Sequence, residues 1–246
     1  MDPRPPPIDL SNCEAEPIRF PGAVQPHGAL LVLQRERGRI EAASQSCAEL
    51  LGLSAERLLG QPVGRVFGAA AETAMLAEPV DDSLPLLTLS LNGQQFAARA
   101  WHNQAGQVLV DIEPSDPAPS VLQDWIEQYR CGIAALRRLG DVTGIAQAAS
   151  ELVRTLTGFD QVMIYRFDDA WNGEVIAEAR APWVEPYLGL NFPASDIPKQ
   201  ARELFQLCKV RQIPDALYTP SALLASAEAQ GIVLCRSSLS SVSPIL

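Results

Sequence analysis

Histidine is nearly absent. His27 and His102 are the only two among 246 residues, which leaves a multi-histidine metal centre unsupplied and a Ser-His-Asp triad poorly supplied. The five cysteines, Cys13, Cys47, Cys131, Cys208 and Cys235, are odd in number, widely spaced and without a C-x-x-C pair. That pattern argues against a disulfide framework and a structural zinc site. Long apolar runs are missing too: Ala29 to Leu33 is typical of the longest, far below the ~20 residues that cross a bilayer. The proline-rich start, Met1 to Asp9, lacks the basic and then hydrophobic layout of a secretory signal. The expectation is a cytoplasmic protein with no membrane partner. Positive charge is also in deficit, since 19 Lys+Arg against 29 Asp+Glu give a net charge of −10. Nucleic acid is therefore not expected as a partner.

What is present suits a globular protein. Hydrophobic residues make up 47% against 20% charged, and at roughly 100 to 200 residues per domain the length fits one large domain or two ordinary ones. Four of the first seven residues are proline, so the start reads as a tail. Strands are expected at Ala29–Leu33 and Ile40–Ala43, then short helices at Cys47–Leu53 and Ala55–Leu59, the latter closed by Gly60. Three strands follow at Leu86–Leu91, Phe96–Trp101 and Val108–Ile112, with Asn92-Gly93 and Gly106 as hairpin turns. This is the order of a small α+β sensor domain with helices on one face of an antiparallel sheet.

Pro114, Pro117 and Pro119, mixed with Ser115, Asp116 and Ser120, mark a linker. After it, Val121, Leu122, Trp125, Ile126, Tyr129 and Ile133 recur at helical spacing. A second helix, capped by Asp141 or Thr143, gathers Ile145, Ala149, Leu152, Val153 and Leu156 on one face and ends at Gly158. Either face serves as intramolecular core or as a dimer seam. Strands are expected at Gln161–Phe167 and Glu174–Ala179, joined by a loop ending in Asn172-Gly173. Helix is expected again over Gln200–Cys208 and in the Ala-rich piece Leu223–Gln230.

The most informative segment is PASDIP, Pro193 to Pro198. Two prolines stiffen the backbone around Asp196 and remove two amide donors, which makes a rigid platform for one carboxylate and several carbonyls. On the residues alone, Ser195-Asp196 ahead of a helix reads as a capping arrangement rather than a ligand site.

Three separated stretches carry a resemblance: LSNCEAEPIRFPGAVQPHGALLVL (Leu10–Leu33), MIYRFDDAWNGEVIAEAR (Met163–Arg180) and YLGLNFPASDIP (Tyr187–Pro198). Together, in this order, they resemble the bacteriophytochromes. The resemblance implies a tail at 1–19, a PAS domain at 20–116, a linker and the start of a connecting helix at 117–132, and an incomplete GAF domain at 133–246. Related proteins thread the N-terminal segment through a GAF loop as a knot, and that loop corresponds here to Ile213–Leu234. The cofactor implied is biliverdin IXα, a linear tetrapyrrole joined by a thioether to Cys13. A thiol adding to a vinyl group needs access and a route to the thiolate; Glu14 and Glu16 beside it do not favour that form, so the pocket must supply the reactivity.

The same resemblance places Asp196, with the loop main chain at Ile197 and Pro198, against the pyrrole nitrogens. Met163, Tyr165, Tyr187 and Phe192 would line the pigment, Arg211 would grip a propionate, and Ser243 would touch the bilin from the SPI segment. Read without it, Met163 and Tyr165 are ordinary core and Arg211 a solvated surface arginine. Some positions depart from the family: Ser240 stands where a second propionate arginine is usual, Phe205 where a tyrosine is common, and no histidine follows the SPI of Ser243–Ile245.

The function implied is a red/far-red photoreceptor module in which a bilin double bond isomerises in light and the change is relayed to a signalling output. A homodimer through the GAF-associated helices and a downstream module outside this sequence are implied with it. With no kinase segment present, the module is not expected to be an enzyme. A pigment-free PAS/GAF interaction or dimerisation module is the alternative. A cysteine-dependent enzyme finds no basic partner near any cysteine.

Overall fold

The computed structural model describes residues 18–78, 86–103, 105–115, 119–197, 199–207, 210–227, 229, 231–234 and 236–241. In chain order the elements are β1 (Ala23–Val24), β2 (Ala29–Gln34), β3 (Ile40–Ser44), α1 (Cys47–Leu51), α2 (Ala55–Leu58), α3 (Val63–Phe67), α4 (Ala69–Leu76), β4 (Leu86–Leu91), β5 (Gln94–His102) and β6 (Gln107–Pro114). They continue as α5 (Pro119–Leu136), α6 (Val142–Thr157), β7 (Gln161–Phe167), β8 (Gly173–Arg180), β9 (Asn191–Phe192), a 3-10 turn at Ala194–Asp196, α7 (Lys199–Leu207) and β10 (Ser221–Ala225). The architecture is α+β. Packing divides it into two compact units, Met1–Asp116 with Pro198–Leu246, and Pro117–Ile197.

The first unit is built on a sheet of order β1-β10-β3-β2-β6-β5-β4 with antiparallel pairing throughout. Its central strand β2 reads ALLVLQ, and its first five residues are buried, because both faces of the sheet are covered. Leu31 and Leu33 enter a core with Cys47, Leu51, Leu58, Val63 and Met75 from the helices. Leu30 and Val32 enter a second core with Trp101, Leu109, Leu234 and Leu239. Thus α1 to α4 cover one face and the chain around 232–239 covers the other. Asn92 and Gly93, with φ of 52° and 78°, form the left-handed pair that the β4–β5 hairpin needs.

Two differences from expectation stand out. The sequence reading assigns nothing to 63–76, where α3 and α4 form; in α4 only Met75 is buried, so the stretch has little apolar periodicity to read. The Ala-rich piece expected as helix from Leu223 begins instead within strand β10. Leu223, Leu224 and Ala225 pair with Ser44, Ala43 and Ala42 of β3, while Ala222 and Ser221 pair with Ala23 and Val24 of β1. Strand partners on both sides satisfy backbone groups at the margin of β3, and this overrides the helical preference of Ala and Leu.

Residues 19–25 are hydrogen-bonded on both flanks. Leu223 N–H donates to Gly22 O at 2.9 Å and Leu234 N–H to Arg19 O at 3.0 Å, while Gln25 N–H donates to Leu239 O at 2.7 Å and Ser241 N–H to Ala23 O at 3.2 Å. The Arg211 guanidinium donates to Ser240 O at 3.3 Å, and the Tyr218 and Ser241 hydroxyls lie 2.9 Å apart, so contacts also join the two ends of the 211–241 stretch. That stretch is pinned to the sheet by Asp111 of β6, a buried residue. Its carboxylate accepts from Ser237 Oγ at 2.7 Å, Ser238 N at 2.9 Å and Ser238 Oγ at 3.0 Å. Burial still pushes the carboxyl up to about 7, with the Glu113 charge acting in the same direction against the three donors.

In the second unit α6 packs on β7 and β8, and α5 packs on α6. Asp141, rather than Thr143, caps α6 by accepting from Gly144 N–H at 2.7 Å, and Gly158 closes it in the left-handed region. A Cβ on Gly132 would collide with the Leu152 side chain; glycine is what lets α5 approach α6 here. The sheet order is β7-β8-β9, and β8 buries Gly173, Val175, Ala177 and Ala179 in alternation. The β7–β8 connection is the loop 168–172, with Gly173 already the first residue of β8. Asp168 accepts from Asn172 N–H at 2.8 Å and from its Nδ2 at 3.0 Å, and Trp171 takes the left-handed conformation, φ 66°.

Candidate functional site

The second unit carries a run of aromatic rings. Tyr165 meets Phe167 edge-on at 5.0 Å and Phe192 at 5.9 Å; Phe192 meets Tyr187 at 6.3 Å, and Phe167 meets Trp171 at 5.5 Å. Local geometry explains how Tyr165 takes its place. Ile164 pairs with Ala177 but Tyr165 pairs with Val175, so Ile176 is an extra residue, and a bulge of this kind twists the strand and re-aims the next side chain. The ring then lies on the backbone of Gly173, where any Cβ would overlap it. Burial and the nearby negative charge of Asp196 both hold the Tyr165 hydroxyl above its ordinary range.

Asp196 ends the 3-10 turn that Pro193 opens. Asp196 N–H donates to Pro193 O at 3.0 Å, Ser195 Oγ donates to the Asp196 carboxylate at 3.4 Å, and the side chain stays exposed. Ala194 N–H donates to Asn172 Oδ1 at 3.2 Å, which ties the proline-flanked loop to the Asp168–Asn172 turn beside the rings.

Tyr165, Tyr187, Phe192 and Asp196 are therefore brought together, with Met163 two residues before Tyr165 on β7. Tyr187 is 37% and Met163 40% exposed, so this is an open ledge rather than a closed core. Ile197 follows Asp196, half-buried. Arg211 belongs to the first unit, half-buried and bonded to the Ser240 carbonyl. Cys13, Pro198 and Ser243 lie outside the described residues.

Phe167 and Trp171 extend the ledge although the sequence reading gave them no role; Phe167 could have been found from its i+2 spacing after Tyr165. The other residue missed is Glu178 of β8, 4% exposed at its side chain. Its carboxylate receives Gln161 Nε2 at 2.6 Å and the N–H groups of Tyr187 and Leu188 at 3.0 and 3.3 Å. Burial pushes this acid upward, but the three donors and the Arg180 charge together outweigh it and hold it below the usual carboxylate range.

Among the described residues no group of three or more His, Cys, Asp or Glu side chains could hold a metal ion, and no helix is long and apolar enough to cross a membrane. Cys47 is buried with its thiol pushed up to about 11, which makes it a core residue rather than a nucleophile.

Residues 13–115 match the family model of a PAS fold. The chain is 43% identical over 97% of its length to a bacteriophytochrome from Xanthomonas campestris pv. campestris, covering 39% of that protein. It is 36% identical over 97% of its length to cyanobacterial phytochrome B from a Nostoc species, covering 33% of it. The chain thus spans about two fifths or less of these relatives. Among solved structures, the wild-type chromophore-binding domain of Stigmatella aurantiaca phytochrome P1 superposes with a TM-score of 0.86 at 40% identity, over 95% of this chain and 80% of that one. The photosensory core module of the Stigmatella aurantiaca phytochrome gives 0.88 at 40% identity, over 97% of this chain and 49% of that one. The order of the strands, the aromatic ledge before a proline-flanked aspartate and these likenesses lead to one assignment: the chain belongs to the bacteriophytochrome family, of which it carries the N-terminal PAS and partial GAF region.

Proposed function

We propose that the chain is the pigment-binding part of a red/far-red light receptor, taking biliverdin IXα as a thioether on Cys13. The observation that carries this reading is the open aromatic ledge with an exposed carboxylate at its end. A run of rings that are half-buried at Tyr165, Phe167 and Phe192 and exposed at Tyr187 and Trp171 suits a flat conjugated ligand, which covers them and removes apolar surface from water. Pyrrole N–H groups need acceptors once buried, and Asp196 with the main-chain carbonyls of its loop offers them. Arg211 would bind a propionate, since a planar guanidinium makes two parallel charged hydrogen bonds to a carboxylate. Met163, Tyr165, Tyr187 and Phe192 would wall the ligand, with Ile197, Pro198 and Ser243 completing the contacts. The bound pigment supplies absorption of red light and a double bond that isomerises; the protein's part is to hold it, keep water away and sense the change at Asp196.

In this reading residues 20–116 form the PAS domain, 133–246 carry GAF sequence, and the module works in the cytoplasm. Its signal passes to a downstream module through helices that also form a homodimer. Exposed Trp125, Ile126 and Tyr129 on α5, with Trp125 and Tyr129 stacked at 5.8 Å, support such a seam. The same stripe favours the second reading, a pigment-free interaction module. Incubation with biliverdin followed by denaturation separates the two. A red-absorbing band that stays on the polypeptide, and is lost from it in Cys13→Ser, is the expected result; a wild-type chain left colourless would sink the pigment reading.

A further inference from the structure

Glu178 is not itself among the proposed pigment contacts, yet its carboxylate organises the loop that follows β8, including the backbone of Tyr187. Oε1 accepts from Gln161 Nε2 at 2.6 Å and Tyr187 N–H at 3.0 Å, and Oε2 accepts from Leu188 N–H at 3.3 Å, with Arg180 Nε at 3.7 Å. Every one of these partners is a donor. Gln161 Nε2 also donates to Glu185 O at 3.2 Å, which anchors the loop just ahead of Tyr187. Beyond Leu188 the backbone turns at Gly189, φ 81°, whose N–H reaches Val175 O at 2.9 Å. The chain then enters β9, where Phe192 pairs with Gly173, the glycine beneath the Tyr165 ring. One buried side chain therefore sets where the Tyr187 backbone starts.

We propose that Glu178 is a positioning residue for the ligand ledge: by fixing the amides of Tyr187 and Leu188, its carboxylate holds the Tyr187 and Phe192 rings as one wall for a flat aromatic ligand. This rests on the pigment reading for the identity of the ligand, but not for the loop. The chemistry is specific to an acceptor-only group. A glutamine would turn an NH2 toward neighbours that are themselves donors, so it loses at least one acceptor position and leaves a buried amide unsatisfied. Aspartate keeps two acceptor oxygens on a shorter arm.

The test uses the whole chain and begins without pigment. In Glu178→Gln, amide hydrogen exchange measured by NMR is expected to quicken by about tenfold or more at Tyr187 and Leu188, with the β7 amides unchanged; Glu178→Asp is expected to restore part of the protection. With biliverdin bound, Glu178→Gln is expected to shift or broaden the red band at equal pigment content. Unchanged exchange at both loop amides overturns the proposal, as does equal loosening of β7, which marks general unfolding. Should Glu178→Gln fail to fold, Glu178→Asp with exchange quickened at Tyr187 and Leu188 and β7 unchanged supports it, while wild-type exchange at both loop amides, or a β7 as loose as the loop, overturns it. If the wild type takes up no pigment, the ligand reading fails while the exchange rates still decide the role of Glu178.

Discussion

Asp111 and Glu178 offer a comparison between the two units, because each is a hidden carboxylate held by donors from outside its own strand and the two shift in opposite directions. Asp111 accepts one amide and two hydroxyls beneath a covering segment of the seven-stranded unit, and its charged neighbour Glu113 has the same sign. Glu178 accepts two amides and a side-chain amide in the thinner three-stranded unit, with Arg180 beside it. Burial is the largest influence on both. The depth of cover separates them most, the sign of the neighbouring charge adds the smallest part, and the number of donors is similar. One carboxylate thus works against its own ionisation, and the other is made more secure by it.

The largest expected effect comes from deleting the acceptor in the deeper site. Asp111→Ala strands the Ser238 N–H and two hydroxyls in a buried place, and at about 1–3 kcal/mol per unsatisfied group urea unfolding should show a loss of several kcal/mol. A stability gain there would break the comparison. Asp111→Asn separates charge from shape. Because the folded acid sits at about 7, above its ordinary 3.8, its contribution is full below the unfolded pKa and is lost as pH rises through about 7. Wild-type stability should fall between pH 5 and pH 8 relative to Asp111→Asn, by roughly 2–4 kcal/mol at about 1.4 kcal/mol per pKa unit. Thermal melts at both pH values read the difference, and parallel melts would refute it.

In the second unit, Gly173→Ala drives a methyl into the Tyr165 ring, and overpacking of this kind costs about 1–3 kcal/mol; tyrosine near-ultraviolet circular dichroism should change with it. The opposite pH sign is checked at Glu178. Its acid lies below 4.5, so its contribution is present above that value and is lost only as pH falls through the folded pKa. Exchange-derived protection of the Tyr187 amide should then stay level from pH 5 to 8, where the Asp111 site changes. The smallest effect is expected at Asp141→Ala, about 1 kcal/mol for a lost N-cap, seen as reduced helical signal and a slightly lower melting temperature.

Much of this was legible in the residues. The strands β2, β3, β4, β5 and β6 follow from apolar runs and the Asn92-Gly93 turn, and α6 from its spacing, its aspartate cap and Gly158. Strand β10 was not, because Ala-Leu composition favours helix and only the distant margin of β3 makes it a strand. The two carboxylates escaped because their donors lie outside their own strands. Asp111 and Glu178 each look like a solvent-facing acid on an alternating strand, and for Asp111 the donors lie 126 and 127 residues away. The nearness of Tyr165 to Asp196 was expected through family likeness, whereas the bulge at Ile176 and the bare Gly173 that place the ring had no local signature.

The pairing of Ala23 with Ala222 has a consequence for the birth of the protein. A nascent chain that has emerged only as far as the linker lacks the strand that joins β1 to β3, together with Leu234 and Leu239 for the outer face of the sheet. The second unit must be made before the first can finish. Pairings of such sequence separation are slow to form, and domain-by-domain folding during synthesis is interrupted here, with Leu30, Val32 and Leu109 left open to solvent until the late segment arrives. Chaperone dependence and sensitivity to ribosome speed should therefore be concentrated in the first unit, the one with the larger sheet.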